Sequence, residues 1–236
     1  MRASAMTGAA VAATALAIVL SGCGSGGDSS AESGTASSSS VESSDTSTES
    51  STAQASESSE APEPGSTIAD YLNENEIAQV SVKPGEAGAP TIDLPTPQGW
   101  EQKNDGLPEG AYGGITYTGA DASPGFPPTI FAYLSRLDGP ADPAAILGAA
   151  PNEMLALDGF QGNPGAPEKL SGFDAFEIAG QYDQDGKPTF AAQKTVVIPG
   201  TNTLYMLQLN AYSTPEQQDK LGAAMGQIDQ QTQITF

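Results

Sequence analysis

The 236-residue chain contains no histidine and a single cysteine. Without histidine there is no Ser-His-Asp or Cys-His catalytic arrangement and no histidine-ligated zinc. One cysteine closes no intramolecular disulfide and builds no cysteine-based metal site, so packing alone must hold the folded part together. Basic residues are scarce too: 8 Lys and Arg against 29 Asp and Glu give a formal net charge of −21. So acidic a chain does not bind nucleic acid through phosphate contacts. A G-x-S-x-G nucleophile elbow and a G-x-x-x-x-G-K-[ST] phosphate loop are both missing. "AYGGITYTG" is glycine-rich but lacks the spacing of a dinucleotide fingerprint. The apolar run at residues 9–20 is shorter than the ~20 residues that a membrane-spanning helix needs.

That run has instead the form of a bacterial export signal over residues 1–22, with Arg2 as its positive end and small residues before Cys23. Leu20-Ser21-Gly22-Cys23 fits a lipobox. On this reading cleavage falls between Gly22 and Cys23, and Cys23 carries an S-diacylglycerol and an N-acyl group. Stable anchoring takes about two hydrophobic signals, and a diacylglyceryl group supplies two chains at once. The competing reading is an ordinary secretory signal beside an incidental cysteine. Of residues 24–65, 20 are Ser or Thr, 8 are acidic and none is basic or aromatic. A segment of that composition cannot bury enough apolar surface to offset its ordering entropy. Residues 23–65 are therefore expected to be a disordered tether spanning about 35 Å, either bare or carrying O-linked sugar.

Residues 66–236 suit one globular domain with a sizeable core. They hold 21 acidic and 7 basic residues, a net charge of −14. Thr67-x-x-Asp70 is a capping-box start that places Ile68, Tyr71 and Leu72 on one helical face. "IAQVSVKPG" turns extended, and the proline-rich "PTIDLPTPQGW" reads as an edge segment or ordered loop. Strands are expected at 113–119 and 128–137. A helix should follow, with Asp142 as N-cap and Pro143 in its first turn, kinked or divided at Pro151. "FDAFEIAGQYD", "TFAAQKTVVI" and "TLYMLQLNAY" predict a three-stranded antiparallel meander joined at Asp185-Gly186 and at 199–202. Leu204 to Leu207 are apolar on consecutive positions, which places the last strand in the middle of the sheet. A final helix is expected from a capping box at Thr214 to Gln217, with Leu221, Met225 and Ile228 inward. The fold class is α/β: an α/β/α sandwich with a central antiparallel sheet and helices on both faces.

Candidate chemistry is sparse. "QYDQDGK" imitates the start of a calcium loop, but the twelfth position, which needs a bidentate Glu, is Ala192; an acidic hairpin tip explains it. A carboxylate pair in a cleft would permit glycoside hydrolysis, yet nothing marks one pair among so many acids. Trp100, Phe126, Phe131, Tyr133, Phe160, Phe173 and Phe176 read as core or loop anchors. "ASPGFPP" differs, because a phenylalanine in a Pro/Gly loop is placed to line a groove for an apolar ligand or a partner.

The lipobox, the Ser-rich tether, "TIADYL", "GAPTIDLPTPQGW", "EMLALDGF" and the run from "FEIAGQY" to "LYMLQLNAY" together resemble the LpqN/LpqT family, lipoproteins of mycolate-bearing actinobacteria. The resemblance runs from about Thr67 to Ile228. It implies a PsbP-like fold and a non-enzymatic accessory role in handling or export of envelope lipids, with no catalytic residues, cofactor or metal to carry over. It also implies attachment to the outer face of the cell membrane, with some shedding to the surface or medium. The expected partners are the membrane, through the anchor at Cys23, and an envelope lipid or its transporter, the domain itself being a monomer. A surface protein–protein interaction role or antigen without a lipid ligand is the alternative, and a carboxylate-based hydrolase a third.

Overall fold

Strand alternation along the most apolar segment organises the molecule. A computed structural model describes residues 65–103 and 105–236. Its elements, in chain order, are α1 (Ile68–Glu74), β1 (Ala78–Ser81), β2 (Thr91–Asp93), β3 (Trp100–Gln102), β4 (Gly113–Tyr117), β5 (Thr129–Asp138), α2 (Pro143–Ala149), α3 (Asn152–Leu155), β6 (Gln161–Gly162), β7 (Ala166–Leu170), β8 (Phe173–Gln184), β9 (Lys187–Pro199), β10 (Leu204–Ser213), α4 (Gln218–Gln231) and β11 (Gln233–Thr235). Nine strands form one antiparallel sheet in the order β3-β4-β5-β10-β9-β8-β6; β1 adds to β5 and β7 to β8. β11 pairs separately with β2. The apolar run Leu204 to Leu207 thus lies in the central strand, as its doubly covered pattern requires.

Successive residues of β10 serve opposite faces. Tyr205, Leu207, Leu209 and Ala211 pack with Leu221, Ala224, Met225 and Ile228 of α4. Leu204 and Met206 pack instead with Ile68, Tyr71 and Leu72 of α1 and with Ile146 and Ala149 of α2. Helices therefore cover both faces of the sheet, which is the expected α/β/α sandwich. Local signals hold where they are local. Thr67 and Asp70 form a complete capping box, Asp142 caps α2 by accepting from the Ala144 and Ala145 amides, and Pro151 separates α2 from α3. The Asp185-Gly186 turn has φ of 54° and 78°, as a two-residue hairpin of type I′ demands.

One local expectation fails. Thr214 makes no side-chain cap; residues 215–217 form a 3₁₀ turn, and α4 starts at Gln218. The Gln217 side chain is taken by a loop distant in sequence, as described below.

Candidate functional site

Ladder register determines which side chains share the face covered by α1 to α3. Thr116 lies opposite Thr129, and Thr129 opposite Tyr212. Tyr212 lies opposite Ala191, and Ala191 opposite Gly180. The next row runs through Gly114, Phe131, Asn210, Gln193 and Ile178. Lys103 joins that row through its backbone bond to the Gly114 carbonyl. At the hairpin end, Gln184 pairs with Lys187, and Tyr182 with Thr189. Because strand side chains alternate, all of these belong to one face.

The helices cover that face unevenly. At one end Leu137, Val197, Leu204 and Met206 are buried under α1 and α2. Further along, Met154 of α3 packs on Ile178 and Ala191. Beyond α3 the sheet opens, and Thr129, Phe131, Tyr133 and Tyr212 are only half-buried. The loop between β4 and β5 borders this open end and carries Phe126, which is 38% exposed. Two adjoining compartments result. One, of about 320 Å³, is lined by Lys103, Thr116, Phe126, Pro127, Phe131 and Tyr212 among others. The second, of about 530 Å³, adds Asp185, Lys187, Pro188 and Thr189, and both share Gly125, Phe126 and Gln184. Each falls in the ~300–1,000 Å³ range of small-molecule sites.

The Phe126 loop is fixed at its base. The Gln217 side chain accepts from the Ser123 amide at 2.9 Å and donates to the Asp121 carbonyl at 2.7 Å. Lys220 of α4 pairs with Asp121 at 2.6 Å and lies over the Tyr117 ring at 4.9 Å. Tyr117 in turn donates to Asp121 at 2.7 Å. Bonds from Lys220 and Tyr117 hold the Asp121 carboxyl below the usual carboxylate range. Gly119 is required here, since a Cβ would stand 2.1 Å from the Tyr117 Oη.

Burial shapes the floor of the groove. It pushes the Tyr212 phenol up to about 12, with Tyr182, Tyr133 and Glu153 adding to the shift. Tyr133 and Tyr182 are raised by burial as well. Glu153 of α3 is raised by burial and by Asp70, against a bond from Gln193 at 3.3 Å. The arrangement offers aromatic surface, a few hydroxyls and amides, and little ionised oxygen. Among the described residues that line the two compartments, Asp185 is the one carboxylate. No cluster of three potential metal-ligating side chains occurs among the described residues.

Of the aromatic candidates, Trp100 is buried in the core facing α4, whereas Phe126 and Phe131 meet in the groove. Sequence reasoning singled out the Phe126 loop and missed Lys103, Thr116, Thr129 and Tyr212, which only the strand register brings together. It noticed Gln184 and Lys187 solely as part of a hairpin tip. Gly22 and Cys23, with the signal and all but the last residue of the tether, lie outside the described residues.

Comparison with known proteins agrees with this architecture. Residues 64–235 match the family model described as "Probable lipoprotein LpqN". Lipoprotein LpqN of Mycobacterium tuberculosis (strain ATCC 25618 / H37Rv) is 46% identical over 180 residues, covering 75% of this chain and 77% of its own. A crystal structure described as LpqN involved in cell envelope biogenesis of Mycobacterium tuberculosis superposes with a TM-score of 0.68. Its sequence is 44% identical, over 74% of this chain and all of that one.

Proposed function

Since the chain belongs to the LpqN family of lipoproteins, we propose that it is a lipid-anchored accessory protein of cell envelope biogenesis that binds an envelope lipid without transforming it. The groove beside Phe126 carries this reading. Its smaller compartment, on the open half of the sheet, has mostly apolar walls and is bordered by a loop fixed in advance by Gln217 and Lys220. Pre-organisation of this kind lowers the ordering cost of binding. The involvement in envelope biogenesis printed for the Mycobacterium tuberculosis relative supports the same setting, and the lipobox at Cys23 supports attachment at the outer face of the membrane. A non-enzymatic role fits the lack of histidine and the single carboxylate at the groove.

Native mass spectrometry of the full protein purified from its own membrane tests the proposal. A lipid mass adduct is expected on the wild type and should be much reduced by Phe126→Asp. A wild type that carries no lipid, or an adduct unaffected by that substitution, would overturn it.

A further inference from the structure

Helices α2 and α3 follow one helical path, since Ala150 and Pro151 between them both keep right-handed helical dihedrals. Its two sides differ. Ala145, Ile146 and Ala149 face the sheet, and Glu153 turns the same way to meet Gln193. On the opposite side Ala144, Leu147, Gly148, Pro151 and Leu155 recur at helical spacing, a stripe with neither a charge nor a side-chain hydrogen-bonding group. Leu155 is 46% exposed, Ala144 and Gly148 are exposed, and Leu147 and Pro151 are half-buried. No other described helix presents such a surface: α1 exposes Asp70 and Glu74, and α4 exposes Asp219. The remaining exposed large apolar side chains form no stripe. Val80 stands opposite Arg136 of β5, Phe236 lies against the Tyr205 ring, and Phe126 borders the groove.

The chain enters the domain beside this stripe. Asn152, on the flank of the same helical path, donates to the Ser66 carbonyl at 2.7 Å. The 42 residues between Cys23 and Ser66 therefore lead to α3. Resting on the anchor at Cys23 that the proposed function includes, we propose that the α2–α3 stripe is a membrane-docking face, laid on the lipid surface that holds the anchor. The acyl boundary of a bilayer takes apolar side chains and needs no matching polar groups, which is what the stripe offers. The charged faces of a domain with a net charge of −14 would lose hydration at a bilayer, whereas the stripe brings no charge to desolvate. Two leucines are too few to hold a free domain there. A tether of about 35 Å raises the local concentration of lipid surface to the millimolar range, where so weak a contact is populated. Docking on this side turns α4, which covers the other face of the sheet, away from the membrane.

Spin labels test the docking face. The full chain, purified from its own membrane with its anchor and reconstituted in phosphatidylcholine vesicles, is labelled at Leu155→Cys or, on α4, at Asp219→Cys. With Cys23 acylated, the introduced thiol is the one available to the label. Relaxation by oxygen and by a water-soluble nickel chelate should place the Leu155 label about 5–10 Å below the head-group boundary and the Asp219 label in water. Gly148→Glu, whose side chain starts into open space, adds a charge to the stripe without disturbing the core. It should return the Leu155 label to water while the protein still floats with the vesicles. Equal water access at the two labels overturns the docking face while the anchor stands, and so does a buried label that Gly148→Glu leaves in place. Shielding of the Leu155 label that persists in the Cys23→Ala chain without vesicles marks a second copy as the occupant and overturns it too. A chain that does not float with the vesicles overturns the anchor and the docking face together.

Discussion

Lys194 of β9 and Asp229 of α4 form an ion pair across the interface between the sheet and its longest helix, the lysine side chain being 1% exposed and the carboxylate 34%. Glu177 on the neighbouring strand completes a triad at 2.8 Å. Burial alone would lower the Lys194 pKa, but bonds to Asp229 and Glu177 outweigh it and hold the ammonium above the ordinary lysine range. Breaking a buried pair costs more than the pair contributes, because the surviving charges keep their desolvation penalty.

Lys194→Met should therefore destabilise the domain by about 3–5 kcal/mol. Adding Glu177→Gln and Asp229→Asn should restore most of that loss. The pH dependence has a definite sign. A lysine whose folded pKa is raised stabilises fully below its unfolded value, about 10.4, and loses that contribution as pH rises through the folded value. Tyr212, raised to about 12, has the same sign over about pH 10 to 12. Urea midpoints should fall steeply above about pH 10 in the wild type. The fall should be shallower in Lys194→Met, where the Lys194 contribution is gone and those of the tyrosines and Lys220 remain.

Glu153 has the opposite effect at neutral pH. Its folded pKa is raised, chiefly by burial, so its carboxyl favours the fold most when protonated, below the ordinary Glu value near 4.3. That advantage is lost as pH rises through the folded pKa. Glu153→Gln keeps an acceptor for Gln193 and removes the charge. It should raise stability at pH 7 by about 1 kcal/mol, or about 2–4 °C in Tm. Calorimetry at pH 4 and pH 7 checks this, because the difference should vanish at the lower pH.

These two sites also show where sequence reasoning works and where it stops. Capping by Thr67 and by Asp142 depends on residues within three positions, and both were legible. The consecutive apolar run from Leu204 to Leu207 announced a doubly covered strand, and it is central. β6 and β7 were not legible, since a two-residue strand and one containing Pro167 exist only because β8 offers them an edge. The same limit applied at Thr214, where a capping box was expected but Gln217 bonds a backbone amide 94 residues away in sequence. The groove is a more extreme case. Lys103, Phe131, Gln184 and Lys187 share a face by strand register alone, and no local pattern contains that information.

Gln217 is the test of the loop. Gln217→Ala removes both bonds to the 121–123 backbone and leaves the Ser123 amide without its acceptor, at a cost of about 1–3 kcal/mol. Gln217→Glu keeps the acceptor but loses the donor to the Asp121 carbonyl, so it should fall between the two. Hydrogen exchange at the Ser123 amide should accelerate most in the alanine variant, and lipid binding at the groove should weaken in parallel. Unchanged exchange would mean that the loop is held by Lys220 and Tyr117 without Gln217.

The lone cysteine carries the remaining prediction. Leu20-Ser21-Gly22-Cys23 stands directly after an apolar run too short to span a bilayer. A net charge of −14 on residues 66–236 gives no electrostatic hold on anionic head groups, and no described helix is long and apolar enough to cross a membrane. On the proposed lipidation of Cys23, acyl chains supply the attachment, at about 0.8 kcal/mol for each buried methylene group. Cys23→Ala should move the protein from the membrane fraction to the soluble fraction. The wild-type intact mass should fit a chain that begins at Cys23 and bears a diacylglyceryl group. A variant that stays in the membrane fraction, or a wild type without the added lipid mass, would mean that something other than this cysteine holds the domain at the envelope.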